Sequence, residues 1–356
     1  MKIEIITIHN INNFGSVFQT YGLYKYLSDQ GHDTEVIDYN PPYFRHSNLK
    51  RKLGELLFFQ DYHVRKTKFN HFIKKNYKLS LKNYKTSKAL QDHPPVADLY
   101  VAGGDQLWNP YHPCGNDDMY KMSFTNGKKI SYGTSMGKSS FSDNELCDLA
   151  FKIKDYFCVS VRESSSVSLL NKVGIQAHHV VDPVLLLPRA AYERYVSKPL
   201  ISGKYMFVYL VTPSKLLEST IAYISKKMGL KVVLCAGLSQ KSTCDYMLRN
   251  AGPEEILSYI VNAEFIISAS FHATLFSVLY HKQFATLLPG SNTNERIEDF
   301  LSWNRLSDRI IKSGEDLNET LFSPVDFVFA DKAIEAKRQY SLAYIHHALD
   351  TEDKKG

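Results

Sequence analysis

The chain has 356 residues, 44% of them hydrophobic, and a formal net charge of +6. That length exceeds one hydrophobic core and suits two domains; the ordinary apolar fraction argues against a disordered chain, and no apolar run reaches the length of a bilayer span. The five cysteines (Cys114, Cys147, Cys158, Cys235, Cys244) are odd in number and lack CxxC spacing, which argues against a disulfide frame or a zinc site and fits reduced thiols in a cytoplasmic protein.

Lys2 to His9 (KIEIITIH) reads as a buried strand, with no charged-then-apolar leader before it and hence no expected signal peptide. Asn10 to Ser16 reads as an Asn-rich turn, and Val17 to Asp29 as a helix with apolar residues at Val17, Tyr21, Tyr24 and Leu27. Gly31 stops that helix and Thr34 to Tyr39 is the next strand, which completes a βαβ unit. From Tyr43 to Pro95 the chain carries thirteen Lys and Arg against three acids, a local excess of +10 that leaves −4 for the remainder. Within it, Leu49, Leu53, Leu56 and Leu57 recur at helical spacing beside Lys50, Arg51 and Lys52, with Phe58 and Phe59 following. Such a basic amphipathic segment, 49–59, is a candidate for peripheral contact with an anionic membrane; the competing reading is a lid packed on the first domain with a solvated basic face. No aromatic–basic recognition motif accompanies the charge, so nucleic acid is not an expected partner.

Further strands are expected at the start of Asp98 to Asp105 (DLYVAGGD), at Lys129 to Tyr132, Phe157 to Val161 and His178 to Val181, with helices near Asp143 to Lys154 and Ser164 to Lys172. Each strand runs into a polar or Gly-rich junction, as a doubly wound sheet requires. Pro188 to Gly203 reads as a linker. The second half repeats the pattern, with strands at Tyr205 to Leu210, Lys231 to Cys235, Glu264 to Ser268 and Phe284 to Leu288, helices at Ser214 to Met228, Pro253 to Ala263, Thr274 to His281 and Asn294 to Trp303, and a long C-terminal helical pattern. The expected division is a domain over 1–190 carrying a basic insertion at 43–95, a second over 200–330, and a helix over 331–356 that crosses back to the first. The fold class is α/β, two Rossmann-like domains facing across a cleft.

The junctions supply the candidate chemistry. Ser270, Phe271 and His272 lie between a strand and a helix, where helix amides favour an anion and an imidazole can move a proton. The bland alternative is a buried, hydrogen-bonded histidine. Asn12, Asn13, Gly15 and Gln19 offer amides and a close backbone approach, or simply a helix cap. Gly103, Gly104, Asp105, Gln106 and Trp108 join two glycines, a carboxylate, an amide and an indole in one loop: Asp105 is placed to accept a sugar hydroxyl proton, and Trp108 offers a face to a sugar ring or to the core. Arg162 at a strand end suits paired recognition of carboxylate or phosphate, against an ion pair with Glu163. Arg296, opening a later helix that Asn or Thr could simply cap, is a second candidate anion clamp. No GxxxxGK[ST] or GxGxxG occurs, nor an Asp-x-Asp that would hold a metal under a nucleotide sugar.

Taken in order, Asn13-Phe14-Gly15-Ser16 with Gln19, Gly103 through Asn109, Ser160-Val161-Arg162-Glu163-Ser164, Val181-Asp182-Pro183 and Ser270-Phe271-His272-Ala273 resemble the polysaccharide pyruvyl transferase family from about Lys2 to about Leu301. The resemblance implies a GT-B-like pair of halves, acceptor side first and donor side second. It implies phosphoenolpyruvate as co-substrate with no further cofactor and no metal, and a saccharide acceptor, in some members lipid-linked and handled at the inner face of the membrane. The implied product is a cyclic pyruvate ketal on a bacterial surface polysaccharide, capsule or exopolysaccharide. His272 and Asp105 take the catalytic roles. Arg162, Ser270, Phe271 and Arg296 fall on the donor side, and Asn12, Asn13, Gly15, Gln19, Gly103, Gly104, Gln106 and Trp108 on the acceptor side. One departure stands out: several members carry Arg two residues before the histidine, where this chain has Ser270. The alternatives are a GT-B glycosyltransferase using a nucleotide sugar and a non-catalytic saccharide-binding protein.

Overall fold

The structure is a computed structural model and describes residues 1–44, 54, 56–209, 214–235, 243–288 and 294–350. It divides into two compact units: 1–46, 73–187 and 334–356 form unit 1, and 47–72 with 188–333 form unit 2.

Unit 1 is built on a four-stranded parallel sheet in the order β2-β1-β3-β4, from β1 (Lys2–Ile6), β2 (Asp33–Val36), β3 (Leu99–Gly103) and β4 (Lys129–Tyr132). β1 (KIEII) is buried along its length after Lys2, with Ile3, Glu4, Ile5 and Ile6 all inaccessible, because a parallel strand is covered on both faces. A parallel pair, β5 (Val159–Val161) and β6 (Ala177–His179), adjoins β4 through bridges Ile130–Cys158 and Thr134–Val161. The covering helices are α1 (Phe14–Asp29), the C-terminal end of α2 (Phe59–Asn76), α3 (Ser87–Asp92), α4 (Asp143–Ile153) and α5 (Ser164–Lys172). α4 starts at a reciprocal cap, in which Ser142 accepts from the Glu145 amide while the Glu145 carboxylate accepts from the Ser142 amide. The order places β2 on one side of β1 and β3 on the other, so the chain reverses direction across the sheet between β1 and β3. In open α/β sheets that reversal opens a crevice beyond the carboxyl ends of the strands.

Unit 2 carries a six-stranded parallel sheet, β12-β11-β10-β7-β8-β9. Its strands are β7 (Tyr205–Tyr209), β8 (Lys231–Cys235), β9 (Tyr246–Leu248), β10 (Phe265–Ser268), β11 (Gln283–Leu287) and β12 (Ile310–Ile311). Its helices include the one-turn α6 (Ala190–Glu193), α7 (Lys215–Met228), α8 (Pro253–Asn262), α9 (Phe271–Leu279) and α10 (Glu295–Trp303). Here the reversal falls between β7 and β10, which pair from Phe265–Met206 to Ser268–Tyr209. The final helix α11 (Phe327–Asp350) begins in unit 2 and belongs to unit 1 from Ile334 onward.

Two expectations change. The basic stretch is not one insertion in the first domain: 47–72 groups with unit 2 and 73–95 with unit 1. Inside unit 2, Lys68 Nζ lies 2.7 Å from both Glu255 carboxylate oxygens and Asn250 donates to Asp61 at 2.8 Å, which fixes α2 against the start of α8. Leu49, Leu53 and Lys50 to Lys52 lie outside the described residues. Helix α1 begins at Phe14 rather than Val17, because Asn13 caps it by accepting from the Ser16 amide at 3.2 Å. None of the five cysteines forms a disulfide.

Candidate active site

Both sheet reversals carry the junctions that the sequence marks. In unit 1 the chain leaves β3 through Gly104 (φ +66°) and Asp105 (φ +44°), two successive left-handed residues. The Asp105 carbonyl accepts from the Ser135 amide at 2.8 Å, and its carboxylate accepts from the Gln106 amide at 2.9 Å and the Ser16 hydroxyl at 2.6 Å. A non-glycine left-handed residue is held only where its surroundings over-determine it, and these bonds do so. Asp105 remains half-buried. Its carboxylate is thereby aimed by the first turn of α1 and kept partly open, the arrangement expected of a base that meets a hydroxyl.

Several neighbours have other occupations than the sequence suggests. Trp108 is 2% exposed and packs edge-on against Tyr156 at 6.0 Å, inside the unit 1 core, so it is no platform for a sugar ring. Gln19 is fully buried; its amide donates to Thr7 and Thr20 hydroxyls and the Ser16 carbonyl, and its Oε1 would lie 1.5 Å from any Cβ added at Gly104. A Cβ on Gly103 would meet Leu23 at 2.3 Å. Both glycines are thus closely covered by side chains of α1 and Trp108 by the core, and the acceptor roles expected of Gln19, Gly103, Gly104 and Trp108 give way to that packing. Asn13 is the helix cap, Gly15 is buried in the first turn, Asn12 is half-buried before it, and Gln106 accepts from Asn109 at 2.6 Å.

Arg162 needs the largest correction. Its guanidinium is buried and pairs with the Asp182 carboxylate, while Glu163 lies at 3.8 Å. Burial disfavours its charge, but Asp182, Glu163 and then Asp105 outweigh that and raise its pKa further. Glu163 in turn accepts from the Ser135 hydroxyl at 2.5 Å and the Ser166 hydroxyl at 3.2 Å. The guanidinium therefore acts as the internal counter-ion of a carboxylate cluster behind Asp105, and the expected donor clamp gives way to that role.

A second polar pair at this edge escaped the sequence reading. Just beyond β1, buried His9 places Nε2 3.0 Å from Asp38 Oδ1, and Asp38 follows β2. Burial pushes the Asp38 carboxyl up, but hydrogen bonds from His9, Asn83 and Asn40 prevail and lower it. The available signal was a histidine and an aspartate near the carboxyl ends of two apolar strands.

In unit 2 the chain leaves β10 at Ser268, bonds Ala269 N–H to the Tyr209 carbonyl at 3.3 Å, and enters α9 at Phe271, three residues earlier than expected. Ser270 holds the cap position in an extended conformation without a side-chain cap bond; its amide donates to Ser268 Oγ at 2.9 Å instead. His272 is 6% exposed in the first turn, its ring 5.1 Å from that of Phe271. Phe271 also packs edge-on against Phe300 at 5.8 Å and lies 5.8 Å below the Arg296 guanidinium. So one helix start brings together Ser270, His272 and, from α10, Arg296. His281, at the far end of the junction, lies 2.9 Å from Asp331 and stacks on Phe327.

A family model, polysaccharide pyruvyl transferase, matches residues 13–291. The chain belongs to that family. It is therefore an enzyme, a polysaccharide pyruvyl transferase. No curated protein matches the chain. Among solved structures it is similar to S. aureus MnaA with UDP (TM-score 0.54, 10% identity, 100% of this chain and 98% of that one). It is also similar to the UDP-GlcNAc 2-epimerase of Methanocaldococcus jannaschii (0.51, 13%, 92% and 93%) and to the spinosyn rhamnosyltransferase SpnG (0.50, 10%, 99% and 100%). At such identities the likeness shows the fold alone, which is the GT-B arrangement of parallel α/β halves. Within this family member, among the described residues, no group of three His, Cys, Asp or Glu could hold a metal ion, and no helix is long and apolar enough to cross a membrane.

Proposed function

We propose that this family member transfers pyruvate from phosphoenolpyruvate onto two hydroxyls of one saccharide residue, forming a cyclic ketal and releasing phosphate, in the assembly of a bacterial surface polysaccharide. The observation that carries the reading is the β10–α9 junction. A helix start attracts an anion through its amides and dipole, the cap residue brings no side-chain acceptor to those amides, and Arg296 and His272 stand beside it. These groups compensate for the arginine that Ser270 replaces.

In the proposed reaction the His272 imidazolium gives its proton to the methylene carbon of the enol. The electron-poor C2 is then attacked by a sugar hydroxyl, whose proton passes to Asp105. The second hydroxyl attacks C2 as the C2–O bond to phosphate breaks. Its proton leaves with the phosphate, Asp105 releases its proton to solvent, and His272 takes one up from solvent. One proton ends on the new methyl group and one on phosphate, so the two hydroxyl protons balance the reaction. A lipid-linked acceptor would suit the apolar side chains of Leu56, Leu57 and Phe59, each more than 60% exposed beside the basic stretch, as a peripheral contact at the inner face of the membrane.

The test is phosphate release from phosphoenolpyruvate with a panel of lipid-linked and nitrophenyl sugars, together with thermal stabilisation by phosphoenolpyruvate against a panel of nucleotide sugars. Stabilisation by a nucleotide sugar alone, with no phosphate released, would replace the pyruvyl donor by the glycosyl one.

A further inference from the structure

Unit 1 holds a cavity of about 550 Å³ beyond the carboxyl ends of β2 and β3. One wall is Tyr39, Pro41, Pro42 and Tyr43, which follow β2; the other is the Pro113–Met119 part of the β3–β4 connection, with Gln91 of α3 at the side. Its size falls in the range of small-molecule sites, ~300–1,000 Å³. Asp117 organises it: one carboxylate oxygen accepts from the Tyr39 and Tyr43 hydroxyls at 2.6 and 2.7 Å, the other from the Met119 amide at 3.0 Å. Burial first, and the bond to Asp117 second, raise both phenols well above their usual range, so both stay donors. Three bonds leave a carboxylate with capacity for one more donor. Gln91, Asn116 and Ser87 are exposed around it.

The chemistry of this lining is selective. Aromatic and proline faces suit the C–H face of a pyranose, and amide, hydroxyl and carboxylate groups suit its hydroxyls. Two carboxylates, Asp117 and Asp118, line the cavity and no cation does among the described residues; Lys152 meets Asp118 at 3.0 Å without lining it. Phosphate and nucleoside diphosphate are therefore disfavoured, and a neutral polyol fits. The wall is also tied to the Asp105 loop, since the Cys114 thiol donates to the Gln106 carbonyl at 3.2 Å.

We propose that this cavity is a saccharide subsite that holds a neutral sugar of the acceptor chain, next to the residue that receives the pyruvyl group. The inference rests on the saccharide-acceptor reading but not on the donor.

The test uses the full chain and two variants, Gln91→Trp, which fills the cavity from an exposed helix position, and Tyr43→Ala, which removes a ring wall. Probes are gluco-, galacto- and manno-configured tetrasaccharides, the matching nitrophenyl monosaccharides, and UDP. By calorimetry without donor, a tetrasaccharide should bind the parent chain and lose about tenfold in affinity in both variants, the effect of ~1.4 kcal/mol of contact. In phosphate release, KM for that tetrasaccharide should rise by about the same factor with kcat unchanged, and the monosaccharide KM should stay within about twofold. Tetrasaccharide binding indifferent to both variants, no binding anywhere in the panel, or UDP binding abolished by Gln91→Trp would each overturn the subsite. Variant-sensitive tetrasaccharide binding without phosphate release would retain the subsite and reject the donor.

Discussion

Glu4 offers the sharpest quantitative test of the unit 1 sheet. It sits mid-strand in β1, fully buried, directly across from Glu35 of β2, with Lys2 Nζ at 3.6 Å. Burial first and the Glu35 charge second push its carboxyl from 4.5 up to about 7, despite Lys2. A folded-state pKa raised above the unfolded one means that the native chain holds a proton the unfolded chain has released. Below pH 4.5 both states are protonated and the site is neutral in effect; between 4.5 and 7 stability falls as pH rises; above 7 the penalty is complete. At 1.36 kcal/mol per pKa unit the penalty is of order 3 kcal/mol. Glu4→Gln keeps the shape and removes the charge, so it should stabilise unit 1 by about that much at pH 8 and by nearly nothing at pH 4.5. At ~2–4 °C per kcal/mol the gain is a rise of about 6–12 °C in the unit 1 thermal transition. Calorimetry of both chains from pH 4.5 to 8.5 reads it directly. An equal shift at both ends of the range, or none at pH 8, would refute the electrostatic reasoning. Glu35→Gln should move the same pH window downward by a smaller step while leaving Lys78, 2.7 Å from Glu35, without that partner.

The remaining expectations concern the site. His272→Ala should lower phosphate-release turnover by ~10²–10⁴-fold, the typical contribution of a positioned acid, with the thermal transition of unit 2 retained; near-parental turnover would remove His272 from the reaction. Arg162→Met should destabilise unit 1 by ~3–5 kcal/mol by stranding Asp182, and the double variant Arg162→Met with Asp182→Leu should recover much of that loss; urea unfolding checks both, and an Arg162→Met chain as stable as the parent would return the guanidinium to a binding role. Leu56→Ser with Leu57→Ser should weaken co-sedimentation with anionic phospholipid vesicles while leaving turnover on a soluble nitrophenyl sugar unchanged, and unchanged sedimentation would dismiss the membrane contact.

The residues that were legible in the sequence and those that were not differ in the range of the interactions involved. The strand KIEII, the helix that starts at Asp143 and the β10–α9 junction are set by neighbours a few residues apart, and the sequence displays them openly. Gln19 against Gly104, Leu23 against Gly103, Arg162 with Asp182, and His9 with Asp38 join residues from different elements, and no local pattern announces which partner each will find. The Gly103–Trp108 loop makes the consequence concrete. Two glycines, an acid, an amide and an indole in six residues mark a place where backbone must approach something closely and in a fixed conformation. That signature is the same whether the approaching body is a ligand or another helix. Here α1 is what the glycines accommodate and Trp108 fills the core beneath, and the tight fit is what holds Asp105 in its left-handed conformation at the edge of the sheet. The loop's rare residues therefore divide into one that stays half-buried at the sheet edge and several that pack behind it, and only the packing separates the two.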